Sequence, residues 1–376
     1  MLATFSITAL GSFIDINIYN LLKPNIVFEL VVLLTLILLL PISKYSLSSS
    51  IIIVLSIGYI IIQFITFYLG GAPGTIADFL IIHKVFVYIV ILVCVSCEKF
   101  ISNNSILLIY KVVSVGMLIK YALSHLLGID DRPGFYTENN FELMLLLFLF
   151  LASVKIRQRL DIKNLLLIIV IVLLSGSRSG ILCLASLFLF LDLSRYGISK
   201  GIKISSVSFV LALSIGLFVF RLGNMSIEDI DRFQFLLVFI NDVSGWTFIE
   251  WLAGNPAITP LSETGAGKLS YYHLLFSDYK EGLAFSLLLH SFILRMIFDH
   301  GVLGLLFVFY SIWFVLKRSG LNRSEILSVI AVLFINSLSV SSLNSVYALW
   351  GIFFIVNAGF ASTSDLKYFR AVNNTF

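Results

Sequence analysis

Charged side chains are scarce in this sequence. Only 12% of its 376 residues are Asp, Glu, Lys or Arg, whereas 59% are hydrophobic. A soluble domain carries about twice that share of charge, so the composition excludes an ordinary soluble protein. Apolar runs of about 20 residues recur along the chain, as in transmembrane helices. They lack the alternation of barrel strands, so the predicted fold class is an all-α, polytopic membrane protein.

Cysteine is also rare, and common metal-binding motifs are missing. The three cysteines, Cys94, Cys97 and Cys183, lie in apolar runs. The first two have C-x-x-C spacing, but no second pair or nearby histidine accompanies them, which favours embedded thiols over a redox or metal site. The sequence therefore predicts no metal and no cofactor. The N-terminus lacks a basic region and a small-residue cleavage site, so no removable signal peptide is expected.

The apolar runs predict twelve spans within a single membrane domain, 1–376. The first run contains Asp15, Asn17 and Asn20, and it forms either a span, which we favour, or a helix on the membrane surface. Without it the count is eleven. The predicted spans are 2–22, 26–42, 50–69, 76–97, 105–127, 138–154, 163–175, 180–193, 204–220, 288–316, 325–340 and 344–361.

Loop charge predicts the orientation, because Lys and Arg concentrate in cytoplasmic loops. The intervening loops carry little positive charge, and the largest, 221–287, is expected outside the cytoplasm. With twelve spans both termini are cytoplasmic, and the net charge of +4 requires no nucleic-acid partner. The predicted cytoplasmic clusters are Lys155, Arg157, Arg159 and Lys163; Arg195, Lys200 and Lys203; and Lys317, Arg318 and Arg323.

Two of the predicted spans are short. Residues 164–191 must cross the membrane twice, with arms of about 14 residues, or about 21 Å of helix, against a hydrocarbon core of about 30 Å. The turn between them, SGSRSG, is therefore predicted to lie in a recess that places Arg178 below the headgroups. An arginine there is costly unless it faces water, protein or an anion. The alternative is that Arg178 extends to the outer headgroups.

Arg232 lies in the large outside loop. It falls on a predicted helix, 227–240, which follows a helix-start signal at Ser226. Arg232 either reaches into the recess to bind an anion or pairs on the surface with Glu228 or Asp229.

His290 begins the span 288–316, and its imidazole titrates near neutral pH, as a general base requires. The alternative is a histidine bonded to a neighbouring carbonyl. Arg295 and Asp299 follow on the same predicted helix but do not share one stripe with His290.

Other polar residues flank these candidates. Arg132 precedes a Pro-Gly turn, and Glu138 and Asn139 stand at a helix start, where they either line a pocket or simply cap the helix. Asp78 and Lys84 fall inside the fourth span, where they are functional groups or an ordinary ion pair.

In their order along the chain these residues resemble the O-antigen polymerase (Wzy) and O-antigen ligase superfamily. The pattern is R-x-G-x-[FY]…N, then SGSRSG, then an arginine-led helix in a large loop, then H-S-x-x-L before G-x-x-G-L-L. It covers about residues 130–310. Glu138-Asn139-Asn140 departs from the x-Pro-Asn of many relatives, and the second family arginine corresponds to Arg232 or Arg221. The match is carried by Arg132, Gly134, Asn139, Ser177, Arg178, Arg232, His290, Gly301 and Gly304.

The resemblance implies a GT-C-like, inverting glycosyltransferase that acts on undecaprenyl-diphosphate-linked glycans at the outer face of the cytoplasmic membrane, without a metal. Its partners would be these lipids, the bilayer and, in addition, a chain-length regulator protein. Arg178 and Arg232 would bind the diphosphate, and His290 would orient or deprotonate the acceptor hydroxyl. The other implied substrate-binding residues are Arg132, Glu138, Asn139, Ser177, Arg221 and Arg295.

Three functions remain open. The favoured one is a polymerase that joins repeat units of a surface polysaccharide, an O-antigen or a capsule. An O-antigen ligase would use the same site with lipid A core as acceptor. A polysaccharide or lipid transporter is a different class, and the lack of an internal repeat disfavours it.

Overall fold

The computed structural model describes most of the chain. It is 76% helical and contains no strand among the residues it describes, which confirms the all-α prediction. Arg221, the helix-start signal at Ser226 and all but two residues of the predicted span 204–220 lie outside these residues. The described residues are 1–14, 22–40, 45–96, 98–130, 132–197, 231–255 and 258–373, with positions 201, 208 and 216; side chains are described as far as residue 360.

The helices follow the apolar runs. Before residue 198 they are α1 (Leu2–Gly11), α2 (Pro24–Leu39), α3 (Leu47–Leu69), α4 (Ile76–Val95), α5 (Asn103–Leu126), α6 (Asn139–Arg157), α7 (Ile162–Leu174) and α8 (Arg178–Phe190). After residue 230 they are α9 (Asp231–Asp242), α10 (Phe248–Ala253), α11 (Glu263–Lys268), α12 (Phe292–Arg318), α13 (Arg323–Ser339) and α14 (Val346–Asn373).

Five helices, α3, α4, α5, α6 and α12, are long and apolar enough to cross a membrane. This agrees with a polytopic membrane protein, while the total of eleven or twelve spans stays a prediction. Helix α1 has 10 residues, or about 15 Å, and is too short to cross alone. It packs inward, because Phe5 is 1% exposed and stacks on Phe28, with ring centroids 4.6 Å apart.

Helix α6 forms the centre of the bundle. All of its residues from Leu143 to Ala152 are at most 1% exposed. Helix α14 lies against it so closely that a Cβ on Gly351 would meet the Phe148 ring at 2.4 Å. Helix α3 is peripheral, and Leu47, Val54 and Leu69 on it are exposed, as side chains facing lipid tails would be. The core helix α6 therefore provides a fixed reference for residues at its ends.

Three basic loops meet at one end of this bundle. Lys155 forms an ion pair with Glu325 at 2.9 Å, and the Tyr196 hydroxyl donates to the same carboxylate. The backbone N–H of Leu160 donates to the carbonyl of Tyr196 at 3.3 Å. Because α6 and α12 end here, their first residues, and the turn between α7 and α8, lie at the opposite end. Which end faces the cytoplasm stays a prediction.

The predicted pair between Asp78 and Lys84 is wrong. Asp78 lies in the first turn of α4 and forms a capping box with Thr75, and it also accepts a hydrogen bond from the Ser277 hydroxyl at 2.7 Å. Lys84 pairs with Glu29 of α2 at 2.5 Å. Residues six apart on a helix point in different directions. Asp78 therefore bonds to Thr75 and Ser277, whereas Lys84 pairs with Glu29 on α2.

Helix α12 is interrupted where the large loop packs against it. Gly301 has φ 65° and ψ −178°, and a Cβ there would meet the carbonyl oxygen of Leu252 at 2.2 Å. The backbone N–H of Asn255 donates to the carbonyl of Phe298 at 3.0 Å. Segment 247–255, which includes α10, therefore fits into a break in α12 that only glycine permits.

Candidate functional site

The start of α6 holds the SGSRSG turn in place. The side-chain oxygen of Asn140 accepts hydrogen bonds from the hydroxyls of Ser177, at 2.6 Å, and Ser179, at 2.9 Å. The Asn139 amide donates to the carbonyl of Ser175 at 2.9 Å. All five side chains or backbone groups involved are buried. The turn is therefore fixed by the central helix, and Asn139 and Ser177 position it through these internal bonds.

Arg178 is the first residue of α8. The Ser177 hydroxyl caps this helix by accepting from the N–H of Gly180 at 3.0 Å. A helix N-terminus carries partial positive charge, so a cation there is unfavourable unless an anion joins it. Helices α7 and α8 have 13 residues each, or about 20 Å, close to the predicted arms. The depth of Arg178 in a membrane stays a prediction.

Three arginines from distant parts of the chain meet in front of this turn. Arg232, on the first turn of α9, has its pKa lowered by burial and then by the guanidinium groups of Arg132 and Arg178. Like charges interact this strongly only at short range. Glu138 and Asp231 oppose the shift. The structure thus brings Arg132, Arg178 and Arg232 together, with the carboxylates of Glu138 and Asp231 beside them.

These side chains are accessible to water although dense protein surrounds them. Arg132, Glu138 and Arg232 are exposed to water. Burial is nevertheless the largest cause that raises the pKa of Glu138 and lowers the pKa of Arg232. This combination fits the recess predicted from the short helices, and the recess itself stays a prediction. In such a place screening by water is reduced, and the arginines attract an anion more strongly than surface arginines do.

His290 stands beside the arginines in an unusual backbone conformation. It precedes α12 rather than opening it, and its φ of 51° and ψ of −26° are left-handed. Non-glycine residues with positive φ are uncommon and concentrate at functional sites. The hydroxyl of Ser341 donates to the His290 carbonyl at 3.0 Å, and the ring of Tyr272 lies 4.6 Å from the imidazole, centroid to centroid.

The imidazole of His290 is held in its neutral form. Burial lowers its pKa, and the charges of Arg295 and Arg232 lower it further, against the opposing effect of Asp231. Its Nε2 is buried and has no hydrogen-bond partner among the described residues, so this nitrogen does not bond to a carbonyl there. A neutral imidazole with an unused nitrogen can accept a proton at neutral pH.

Asp231 and two tyrosines complete the arrangement, and sequence reasoning missed them. The hydroxyls of Tyr271 and Tyr272 each donate to Asp231 at 3.4 Å. Burial and then Asp231 raise the pKa of Tyr272 to about 12, so this hydroxyl keeps its proton. The adjacent tyrosines were visible in the sequence, but no local pattern connects them to an aspartate forty residues earlier.

Among the predicted site residues, the structure joins Arg132, Glu138, Arg178, Arg232 and His290 into one electrostatic network. Their roles as catalytic or substrate-binding groups stay predictions. The surface pairing of Arg232 with Glu228 or Asp229 and the role of Arg221 fall on residues outside the described part of the chain.

Arg295 lies elsewhere in the site region, on the first turn of α12. It is 2% exposed and donates from Nη1 to the Ser341 hydroxyl at 2.8 Å.

In comparisons with known proteins, no family model matches this chain and no curated protein matches it significantly.

Proposed function

We propose that this protein is a membrane glycosyltransferase that polymerises undecaprenyl-diphosphate-linked oligosaccharide repeat units into a surface polysaccharide. One observation carries the proposal, namely the convergence of Arg132, Arg178 and Arg232 beside a neutral His290. A cluster of guanidinium groups suits an anion with several oxygens, such as a diphosphate, because each fork binds two oxygens at once.

The reaction would proceed by direct displacement. The acceptor hydroxyl oxygen bonds to the anomeric carbon of the donor while the bond from that carbon to the diphosphate oxygen breaks. Attack from the opposite face inverts the anomeric centre. The bonding electrons leave with the diphosphate, whose growing charge the arginines stabilise, and the hydroxyl proton passes to His290.

The short helices α7 and α8 support a lipid-linked substrate. In this proposal the 13 residues of each helix place Arg178 nearer to the membrane centre than a full-length span would. A diphosphate at headgroup depth could enter such a recess sideways while its lipid chain stays in the bilayer. In this proposal the bundle is GT-C-like, residues 221–287 form an extracytoplasmic loop, and the recess opens to the outer face of the cytoplasmic membrane.

Deletion of the gene, followed by a gel of the surface polysaccharide, tests the proposal. A polymerase mutant carries single repeat units, and expression of the wild-type chain restores long polymer, whereas Arg178→Ala does not. Arg323→Ala, which removes an exposed arginine at the opposite end of the bundle, should restore it fully. Bare lipid A core with accumulated lipid-linked polymer would instead identify a ligase. A normal polymer ladder in the deletion strain would refute both.

A further inference from the structure

A cavity with a partly polar wall lies beside the first turn of α12. It has a volume of about 210 Å³, and its wall includes Glu29, Lys84, Arg295, Ser341 and Asn344. Pockets for drug-sized ligands measure about 300–1,000 Å³. This cavity therefore fits one small group, such as a single sugar ring or a phosphate, and leaves no room for an oligosaccharide.

Arg295 gives the cavity its chemistry. The residue is 2% exposed, and among the described residues its guanidinium forms one hydrogen bond, from Nη1 to Ser341. Its Nε and Nη2 are buried without a hydrogen-bond partner. These two nitrogens form the side edge of the guanidinium, which meets two oxygens of a carboxylate or phosphate at once. Burying a guanidinium whose Nε and Nη2 donors have no partner costs free energy, and an oxyanion that accepts from these donors would recover it.

The nearby carboxylates do not pair directly with this edge. Asp299, one turn further along α12, accepts a hydrogen bond from the Ser286 hydroxyl at 2.5 Å and acts on Arg295 through its charge, but the two side chains form no direct ion pair. Glu29 is already paired with Lys84. Among the described residues the edge formed by Nε and Nη2 of Arg295 therefore has no direct partner, and because both nitrogens are buried, a ligand reaches them only after side chains around the cavity shift.

The rest of the wall suits a sugar or phosphate. The side chains of Lys84 and Glu29 are 31% and 33% exposed, so the ion pair lies where the cavity meets its surroundings. The side-chain oxygen of Asn344 is buried and has no partner, and it can accept from a ligand hydroxyl. The cavity therefore offers cationic donors for an anion and an acceptor for a hydroxyl group.

Ser341 connects the cavity to His290. Its hydroxyl accepts from Arg295 Nη1 at 2.8 Å and donates to the His290 carbonyl at 3.0 Å. Arg295 is therefore two hydrogen bonds from the backbone of His290, which itself interacts with Arg232. The two cationic sites adjoin His290 but use different arginines.

We propose that this cavity is a second oxyanion site, which binds a phosphate or sugar carboxylate of the acceptor while the three-arginine recess binds the diphosphate of the donor. The assignment to the acceptor rests on the proposed glycosyltransferase function. The oxyanion site itself does not, because it follows from the cavity and the unused edge of Arg295.

Ligand binding to the full-length protein in nanodiscs tests the site. The probes are inorganic phosphate, glucuronate and, as a neutral control, glucose. Arg295→Gln should weaken binding of at least one anionic probe tenfold or more, whereas Arg323→Gln, a matched loss of an exposed arginine, should not. Loss confined to glucuronate indicates a sugar carboxylate, and loss confined to phosphate indicates a phosphate. Unchanged binding of both anions to Arg295→Gln would overturn the proposal.

A second variant protects the test against misfolding. Asn344→Leu fills the cavity with an apolar side chain and leaves Arg295 in place, and it should weaken the same probe. In a polymerisation assay Arg295→Gln should raise the KM for the acceptor more than it lowers kcat. If the protein shows no polymerisation at all but the anionic probe still depends on Arg295, the oxyanion site stands and its assignment to an acceptor falls.

Discussion

The side-chain oxygen of Asn140 accepts a hydrogen bond from Ser177 at 2.6 Å, so the buried start of α6 fixes the turn that carries Arg178. The same oxygen accepts from Ser179 at 2.9 Å. One asparagine thereby links the most buried helix of the bundle to the arginine on which the proposed chemistry depends. Arg178 is preorganised, and a substrate need not spend binding energy to order it.

Removing this acceptor should destabilise the turn. Asn140→Ala removes the acceptor shared by Ser177 and Ser179, and since these hydroxyls lie 3.1 Å apart, one can donate to the other while the second loses its acceptor. An unsatisfied buried group costs about 1–3 kcal/mol. We expect a lower thermal unfolding midpoint in detergent and a shortened polymer ladder. Asn164→Ala, which removes a partly buried asparagine at the basic end of the bundle, should leave both unchanged. An Asn140→Ala variant with wild-type stability and polymer would show that the turn is held by other contacts.

Arg178 should be required for activity, and lysine should replace it poorly. We expect Arg178→Ala to lower the polymerisation rate by a factor of about 100 or more, as the loss of a preorganised charge-stabilising donor does. Arg178→Lys should recover part of the rate, because the ammonium supplies charge but lacks the two-oxygen fork. The measurement is polymer formed from purified lipid-linked units. Equal rates for the lysine variant and the wild type would argue against bidentate binding.

The pH dependence should identify His290 as the base. Its pKa lies below the ordinary value of 6.5, so the base form persists through neutral pH and the rate falls only in more acidic buffer. Arg295→Gln removes a cation and should shift this acid limb to higher pH, whereas Asp231→Asn removes an anion and should shift it to lower pH. The limb positions are read from the pH dependence of kcat/KM, which reports the pKa of the free enzyme. Shifts in the same direction for both variants would contradict the assignment.

The break in α12 should tolerate no side chain. Gly301→Ala places a Cβ 2.2 Å from the carbonyl of Leu252 and forces a left-handed backbone on alanine. Strain of this kind costs about 1–3 kcal/mol, so we expect a clear drop in the unfolding midpoint. Gly58→Ala in α3 is the matched control, because nothing lies within 4 Å of its added Cβ. A drop of similar size in Gly58→Ala would attribute the effect to glycine loss in general.

The sequence predicted the helices of the bundle well, because long apolar runs leave the backbone one way to satisfy its hydrogen bonds in lipid. The run 76–97 became Ile76–Val95, and 105–127 became Asn103–Leu126. The run 288–316 was less well predicted. Its apolar composition hides the conformation of His290 and the break at Gly301, which arise from packing against α10.

Partners across the fold were harder to predict than helices. The candidate residues Arg132, Arg178, Arg232 and His290 were singled out as polar exceptions in apolar surroundings and as carriers of the family pattern. That Glu29 pairs with Lys84, or that Tyr272 bonds Asp231, depends on which helix faces come together. Local periodicity carries no information about that choice, so these contacts emerge only from the tertiary structure.

The central claim is that the arginine recess binds a lipid diphosphate. The most direct test is the affinity of undecaprenyl diphosphate for the protein in nanodiscs, compared between wild type, Arg232→Gln and the exposed-arginine control Arg323→Gln. The account predicts saturable binding that Arg232→Gln weakens at least tenfold and Arg323→Gln leaves unchanged. Equal affinity of all three proteins for the lipid would contradict it.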